Sequence, residues 1–559
     1  MKALIILLTV LGACMPRQQD KEFFEAFMDA GQRQFARTTL QEFLLTKIVV
    51  RDGKKFRLWT AEGHAYLAAL NAKFARSKDL VIQKGAQLAI STWMIGRTFW
   101  MLDGQPLKAG FFFPDDESMK LFVQDRVDEM IDTSPYIKRS IDATDSTDNV
   151  KLKKYQQATL AFRATSTKKG VKTFDADIIN LDEVDEHDVE NLEFADDRLL
   201  HAAEPVRLAA SQPSFEDFGI NADYLTTNMH AWLIRCACGH WTDLVERFQS
   251  DPESIFGAQK TAGTVYVCEK CGRRVNNQKG EFVPRFPTVK RDGVQISQLF
   301  RADMKPESVL QKFRNATTSV KLKRFYISII GVPFSTADER PISQAILDAN
   351  RGDHRILEHS DSFTYMGADQ GDTVHMVFAE PTRDARLRIT GLLKCSVLDE
   401  SLHHRWIESF RVFTGHVDAM PNKNWAVRMA MRYPDNIRIQ YFQKKFAERT
   451  EAVPGDDDGV QVLQVNRDES LQDTVDAIKN GLFIFPSKSG LSGPDLALVE
   501  ELELHIKNLI RERKEDENGK PVYQFKKKIA NHFGMALNSL RLAYEAEGTP
   551  GEAPPPLFG

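Results

Sequence analysis

The sequence has almost no net charge: 74 Lys and Arg stand against 78 Asp and Glu, a formal −4 over 559 residues. This excludes a globally basic chain, so any path for a nucleic acid must be local. The candidates are Lys151, Lys153 and Lys154; Lys168, Lys169 and Lys172; Lys321, Lys323 and Arg324; and Lys526, Lys527 and Lys528, each of which also reads as a solvated face. Cysteine is scarce, with six in the chain, and Cys14 and Cys395 have no neighbour in sequence to pair with. No disulfide framework is indicated. Long apolar runs are missing too: Ala3 to Leu11 is too short to cross a membrane as a helix. What the chain does have is length, with 42% hydrophobic and 27% charged residues, enough for two or three globular cores.

The phosphate-loop pattern G-x-x-x-x-G-K-[ST] is present only in part. The strand-like Leu80-Val81-Ile82 runs into Gln83-Lys84-Gly85-Ala86-Gln87-Leu88-Ala89-Ile90-Ser91-Thr92, as a buried strand does when it hands over to a helix through a tight loop. With Ser91 as the hydroxyl, Ile90 fills the lysine slot, Ala89 the second glycine slot, and Lys84 stands at the first glycine. The parts can still act. Amides at a helix start favour an anion, a Ser91 or Thr92 hydroxyl can ligate Mg²⁺, and Lys84 can balance phosphate charge. A strand-to-helix connection can also carry these residues and bind nothing. The balance shifts with Asp177 to Leu181, an apolar strand that ends in Asp182-Glu183. Asp182 can hold a Mg²⁺ bridged to nucleotide phosphate, and Glu183 can orient or deprotonate water. The acidic residues from Asp185 to Asp197 read as a solvated run.

At these residues the chain resembles the large subunit of the tailed-phage DNA-packaging terminase, in its lambda-type branch, over about Phe56 to Ala546. Members carry a deviant K-G-A-Q-x-G-x-S loop, which stands here as Lys84 to Ser91 with Ala89 the main departure. Ala161-Phe162-Arg163-Ala164-Thr165-Ser166 and Leu208-Ala209-Ala210-Ser211-Gln212-Pro213 are similar to the segments flanking the acidic motif, the second to the one that couples hydrolysis to movement on DNA. The resemblance implies ATP held by Lys84, Gly85, Ala86, Gln87, Ser91, Thr92 and Asp182. It also implies double-stranded DNA, a small terminase subunit and a portal or procapsid as partners, a homo-oligomer on the portal, no membrane, and the host cytoplasm. On that account the lipoprotein-like stretch ending in Leu11-Gly12-Ala13-Cys14 is spurious, an N-terminal helix or a mis-called start with Met15 as the alternative. Arg163 could be an arginine supplied to a neighbouring subunit or a structural one.

Four cysteines fall in two tight pairs, Cys236-Ala237-Cys238-Gly239 and Cys268-Glu269-Lys270-Cys271-Gly272. Such spacing suits a structural Zn²⁺, with each glycine letting the backbone turn; His240 is a substitute ligand, and reduced free thiols are the alternative. A second chemical centre begins at Phe363 to Asp372, where Asp369 precedes the strand-like Thr373 to Phe378, and Asp418 ends a further strand, Arg411 to Asp418. Carboxylates converging in this way suit metal-dependent phosphodiester cleavage with Mg²⁺ or Mn²⁺. Relatives supply a third ligand from D-H-x-x-x-A, whereas here the helix reads Asn531-His532-Phe533-Gly534-Met535-Ala536. Asn531 can ligate only through its amide oxygen, His532 suits a softer ion such as Mn²⁺, and Asp372 could substitute.

The expected fold is α/β: a helical lead-in over 1–51, a P-loop ATPase domain with a mostly parallel sheet over 52–230, and a zinc-binding insertion over 231–285. A connecting region without evident chemistry over 286–355, a ribonuclease-H-like nuclease over 356–546 and a disordered Pro/Gly tail over 547–559 complete it. The catalytic residues are then Glu183, Asp369 and Asp418. Two other readings stay open: a DNA-dependent ATPase or translocase without cleavage, which Asn531 favours, and a zinc-bearing nucleic-acid-binding assembly protein with an inactive loop.

Overall fold

Leu80, Val81 and Ile82 leave a strand with no polar face, which requires cover on both sides. In the computed structural model the Asp79–Lys84 strand is buried from Leu80 onward. The structure describes residues 38–142, 150–166, 171, 174–187, 189–260, 263–443, 450–454, 460–515, 521–526 and 529–546. The lead-in before Thr38, Cys14, Lys168, Lys169, Lys172, Lys527, Lys528 and the tail from Glu547 lie outside the described residues. The chain divides into two compact units at Phe334/Ser335.

The first unit is built on a ten-stranded sheet. Its order is Trp241–Asp243, His230–Arg235, Asp292–Ile296, Asp79–Lys84, Val206–Ser211, Ile178–Asp182, Lys108–Phe113, Ala158–Ala164 and Leu152–Tyr155, with Gly280–Pro284 also pairing to His230–Arg235. From Asp292–Ile296 to Ala158–Ala164 every neighbour is parallel. The expected parallel sheet is there, and it reaches past residue 230: Asp292–Ile296, which the sequence reading placed in a connector, runs beside the Lys84 strand. Only burial against that neighbour reveals its place, because its five residues are too few to show a period. Gln83, Asp182 and Ser211 lie at the carboxyl edge of adjacent strands, where ligands bind in open α/β sheets.

The second unit has an eight-stranded mixed sheet, in the order Thr450–Pro454, Gln461–Asn466, Ile437–Gln443, Val412–Asp418, Thr364–Gln370, Thr373–Pro381, Leu387–Ser396 and Phe483–Ile484. Thr364–Gln370 pairs antiparallel with Thr373–Pro381 and parallel with Val412–Asp418. Alternate residues feed separate cores, Tyr365 and Val377 on one face, Met366, Ala368 and Phe378 on the other. The helix His532–Ala546 crosses the Thr364–Gln370 strand at Gly367, where an added Cβ would stand 2.0 Å from Ala536 O and 2.3 Å from Leu540 N. Glycine is what lets the helix come this close, and the approach carries His532 to the Asp369 end of the strand.

Candidate functional site: a phosphate loop facing paired carboxylates

Lys84 ends its strand, and the chain turns through Gly85 to Ala89 before the helix Ile90–Leu102 begins. The turn is held from behind: Gly85 N donates to Ile296 O at 2.8 Å, and Ala86 N to Ser328 O at 2.7 Å. An added Cβ on Gly85 would come 2.7 Å from the same Ser328 O. Ser328 belongs to the Phe325 to Phe334 stretch, in which the sequence showed no chemistry; it is the backing of the loop. Gln298 Nε2 and Arg301 bind the outer carbonyls, of Ala86 at 2.9 Å and of Gln87 at 3.0 Å. Gln87 and Ala89 both hold a left-handed backbone, φ +53° and +59°. At Ala89 this is the conformation that a glycine in the usual pattern would adopt freely, and an L side chain there costs about 1 kcal/mol.

The acidic strand end lies opposite. Ser91 Oγ donates to Asp182 Oδ2 at 2.8 Å, and Lys84 Nζ to Glu183 Oε1 at 2.9 Å. Lys84, Ser91, Asp182 and Glu183 are therefore brought together from separate parts of the sequence, with Thr92 half-buried on the following turn. Burial alone would lower the Lys84 ammonium, but the carboxylates of Glu183 and Asp182 outweigh it and hold its pKa above the usual lysine value. Burial pushes Asp182 up in spite of Lys84. Two oxygens 2.8 Å apart and a buried ammonium make a donor set that fits a Mg²⁺-bound phosphate.

Three residues at this site escaped the sequence reading. Asp185 is not a solvated acid: it is 6% exposed and accepts from Ser214 N and Ser214 Oγ, both at 2.6 Å, and from Ile220 N at 2.7 Å. Burial pushes its pKa to about 6. The charge run around it hid that role. Arg126 is exposed and close enough to act electrostatically on Lys84 and Asp182. Arg301, with Lys312, Lys321 and Arg324, lines a cleft of about 610 Å³ that opens beside Ala86 and Gln87. Lys323 turns elsewhere, over the Phe215 ring at 4.2 Å. Arg163 donates to Lys151 O and Phe162 O within its own chain, at 3.0 and 2.9 Å.

The four paired cysteines converge. Cys236 Sγ and Cys271 Sγ are 3.6 Å apart, Cys238 Sγ and Cys268 Sγ 3.8 Å, and all four sulfurs lie within 4.8 Å of one another. Tetrahedral Zn²⁺ with bonds near 2.3 Å sets its sulfurs about 3.8 Å apart, so the donor set fits. Gly239 and Gly272 turn the backbone at φ +86° and +65°. Burial opposes ionisation of Cys268, yet the amides of Cys271 and Lys270 bring its thiol down to about 6. His240 does not join the cluster; its Nε2 meets Glu269 Oε1 at 2.6 Å.

In the second unit Asp418 ends its strand and Asp369 is the last residue but one of the neighbouring parallel strand, each one position beyond the Ala368↔Val417 pair. Burial and the adjacent Asp369 push Asp418 up to about 7. His532 Nδ1 lies 2.8 Å from Asp369 Oδ2. Asp369, His375 and His532 each offer a ligand atom within 4.8 Å of the others, a group that does not take in Asp418. Asn531 is buried, and its Nδ2 has no acceptor among the described residues. Asp372 is exposed in the turn after Gln370. Arg467, which the sequence did not single out, is close enough to attract both aspartates.

A loop, a hydroxyl and paired carboxylates at the carboxyl edge of a mostly parallel sheet define a phosphate-binding α/β domain of the nucleotide-dependent class. Residues 69–282 match the family model described as phage terminase large subunit gpA, ATPase domain. The family resemblance carried by Lys84 to Ser91 therefore holds. Among solved structures, the large terminase of bacteriophage HK97 is similar at 12% identity and a TM-score of 0.43, over 91% of this chain and 99% of that one. The large terminase of a thermophilic bacteriophage is similar at 8% and 0.30, over 87% and 99%. The magnesium-bound large terminase nuclease of phage G20c is similar at 12% and 0.23, over 36% and 94%. No curated protein matches. Among the described residues no helix is long and apolar enough to cross a membrane.

Proposed function

We propose that this chain is the large subunit of a viral packaging motor, which hydrolyses ATP to drive double-stranded DNA into a procapsid and cuts concatemeric DNA. The observation that carries the reading is the pairing of Ser91 with Asp182 and of Lys84 with Glu183 at one strand edge. Ser91 and Asp182 hold the Mg²⁺ of a bound ATP, which supplies charge neutralisation on the phosphates. Lys84 adds the fixed positive charge, the loop amides bind phosphate oxygen, and Glu183 orients the attacking water. Asp369 and Asp418, with Asn531, hold Mg²⁺ or Mn²⁺, which supplies water activation in strand cleavage. Cys236, Cys238, Cys268 and Cys271 hold a structural Zn²⁺. A small subunit and a portal are the protein partners, with the chain as a homo-oligomer on the portal in the host cytoplasm.

The test is DNA-stimulated ATP hydrolysis by the full chain. Glu183→Gln should lower turnover on the order of 10²-fold or more while ATP still binds; turnover unaffected by Glu183→Gln and by Lys84→Ala overturns the reading. Plasmid cleavage, lost in Asp369→Ala, tests the nuclease. A translocase without cleavage is the second reading. Asn531, with its orphaned amide nitrogen, and the position of Asp418 outside the 4.8 Å group favour it. Absence of cleavage in both metals that Asn531→Asp does not restore would favour it; restoration by Asn531→Asp would mean a terminase with a disabled nuclease.

A further inference from the structure

At the Asp369 end of the second sheet stands a group of side chains that the proposed chemistry leaves unused. His375 lies across from Asp369 in one antiparallel register and across from Lys394 in the next. It is 3% exposed, and neither ring nitrogen has a hydrogen-bond partner among the described residues. Each buried nitrogen left unpaired costs about 1–3 kcal/mol, a cost that a bound ion would remove. The helix Gly493–Lys507 brings Glu501 and His505, one turn apart, over the same strand. Glu501 Oε1 is 3.5 Å from His375 Nε2 and 3.8 Å from His505 Nε2. These separations are too long for hydrogen bonds. They are close to the spacing of about 3.3–3.5 Å between donor atoms that share one tetrahedral ion. Each of the three residues offers a ligand atom within 4.8 Å of the other two.

We propose that His375, Glu501 and His505 form a binding site for a transition-metal dication of the Zn²⁺ class, separate from the Asp369/Asp418 pair. Two imidazoles and one carboxylate select such an ion over Mg²⁺, which prefers oxygen donors in an octahedron. Lys394 Nζ holds Glu501 at 2.8 and 2.9 Å with its side chain 42% exposed, so it can release the carboxylate by swinging into solvent. His505 Nδ1 accepts from Phe533 N at 3.2 Å, which keeps the ring proton on Nε2. Ligation through Nε2 moves that proton to Nδ1 and opens the Phe533 contact, with no net proton released. The bound ion ties the helix to the strand that faces Asp369.

This site goes beyond the nuclease reading and does not rest on it, because metal content is measured rather than cleavage. Full-length protein with its cysteine cluster intact is titrated with Co²⁺, whose spectrum at a nitrogen and oxygen site lacks the intense thiolate charge-transfer band. One equivalent without that band is expected in Asp369→Asn, where the Asp369/Asp418 pair is disabled, and at least one in the wild type. Glu501→Gln and His505→Gln should each weaken it at least tenfold, and Phe533 amide exchange should quicken in the wild type as the ion binds. Binding unchanged in both Glu501→Gln and His505→Gln overturns the proposal. Loss of the ion in Asp369→Asn does so as well, since His375 also lies within reach of Asp369 and His532. Should one helix variant fail to fold by circular dichroism, the other still decides.

Discussion

Asp185 fastens the acidic strand end to the segment that follows Ser211, and removing it gives a measurable local failure. Its carboxylate accepts three hydrogen bonds, two from Ser214 and one from Ile220 N. Bonds to a charged group contribute about 1.5–3 kcal/mol each. Those bonds are already counted in a pKa of about 6 instead of 3.8, so the charge is buried at pH 7 at a net cost of about 3 kcal/mol; removing the carboxylate leaves the Ser214 and Ile220 donors without an acceptor, at about 1–3 kcal/mol each. Asp185→Ala should therefore destabilise the first unit by about 2–5 kcal/mol at pH 7. Asp185→Asn keeps one acceptor oxygen for Ser214 and loses the bond from Ile220, but no longer buries a charge, so it should be near neutral at pH 7. The pH dependence separates the terms. The folded form binds more protons than the unfolded one between pH of about 4 and 6, so the stability of the wild type falls as pH rises through that window and levels above it. Asp185→Asn should lack this fall. Urea unfolding across pH 4–8, with hydrogen exchange at Ser214 and Ile220, measures both effects. An Asp185→Ala variant within about 0.5 kcal/mol of wild type, with both amides still protected, would refute the assignment. So would an Asn variant with the wild-type pH slope.

Gly85→Ala should push the loop off Ser328 O, raising the KM for ATP about tenfold with little change in Tm, since the clash is confined to one turn. Steady-state kinetics beside a thermal melt would check it. Gly367→Ala sets a Cβ against backbone atoms of the His532–Ala546 helix and should destabilise the second unit by about 3 kcal/mol or more, read as a lower Tm. Cys268→Ser should remove one zinc per chain by elemental analysis and lower the Tm of the first unit; an unchanged metal content would mean that the four thiols are free. Asn531→Asp should raise Mg²⁺-supported plasmid cleavage relative to Mn²⁺-supported cleavage, because a third carboxylate beside Asp369 and Asp418 suits the harder ion.

What the sequence determined by itself is whatever local pattern can carry. The apolar run at Leu80 to Ile82 followed by small residues fixed a buried strand and its loop. Asp182-Glu183 at the end of an apolar strand marked the facing carboxylates, and the glycine after each cysteine pair marked two tight turns around sulfur. Each rests on neighbours a few residues apart, so each is legible in one dimension. The tertiary structure decided the rest. Ser328 backs the loop across more than two hundred residues of chain, and Asp292–Ile296 joins the parallel sheet of the first unit from a stretch that looked like a connector. Asp185 looked like one acid among many because sequence gives charge but not burial; only Ser214 and Ile220 closing over it show a buried acceptor. The same holds for His375, Glu501 and His505, which lie on a strand and a helix more than a hundred residues apart. Nothing in their sequence neighbourhoods distinguishes them. Only the packing of that helix against the strand turns three ordinary residues into one set of donors.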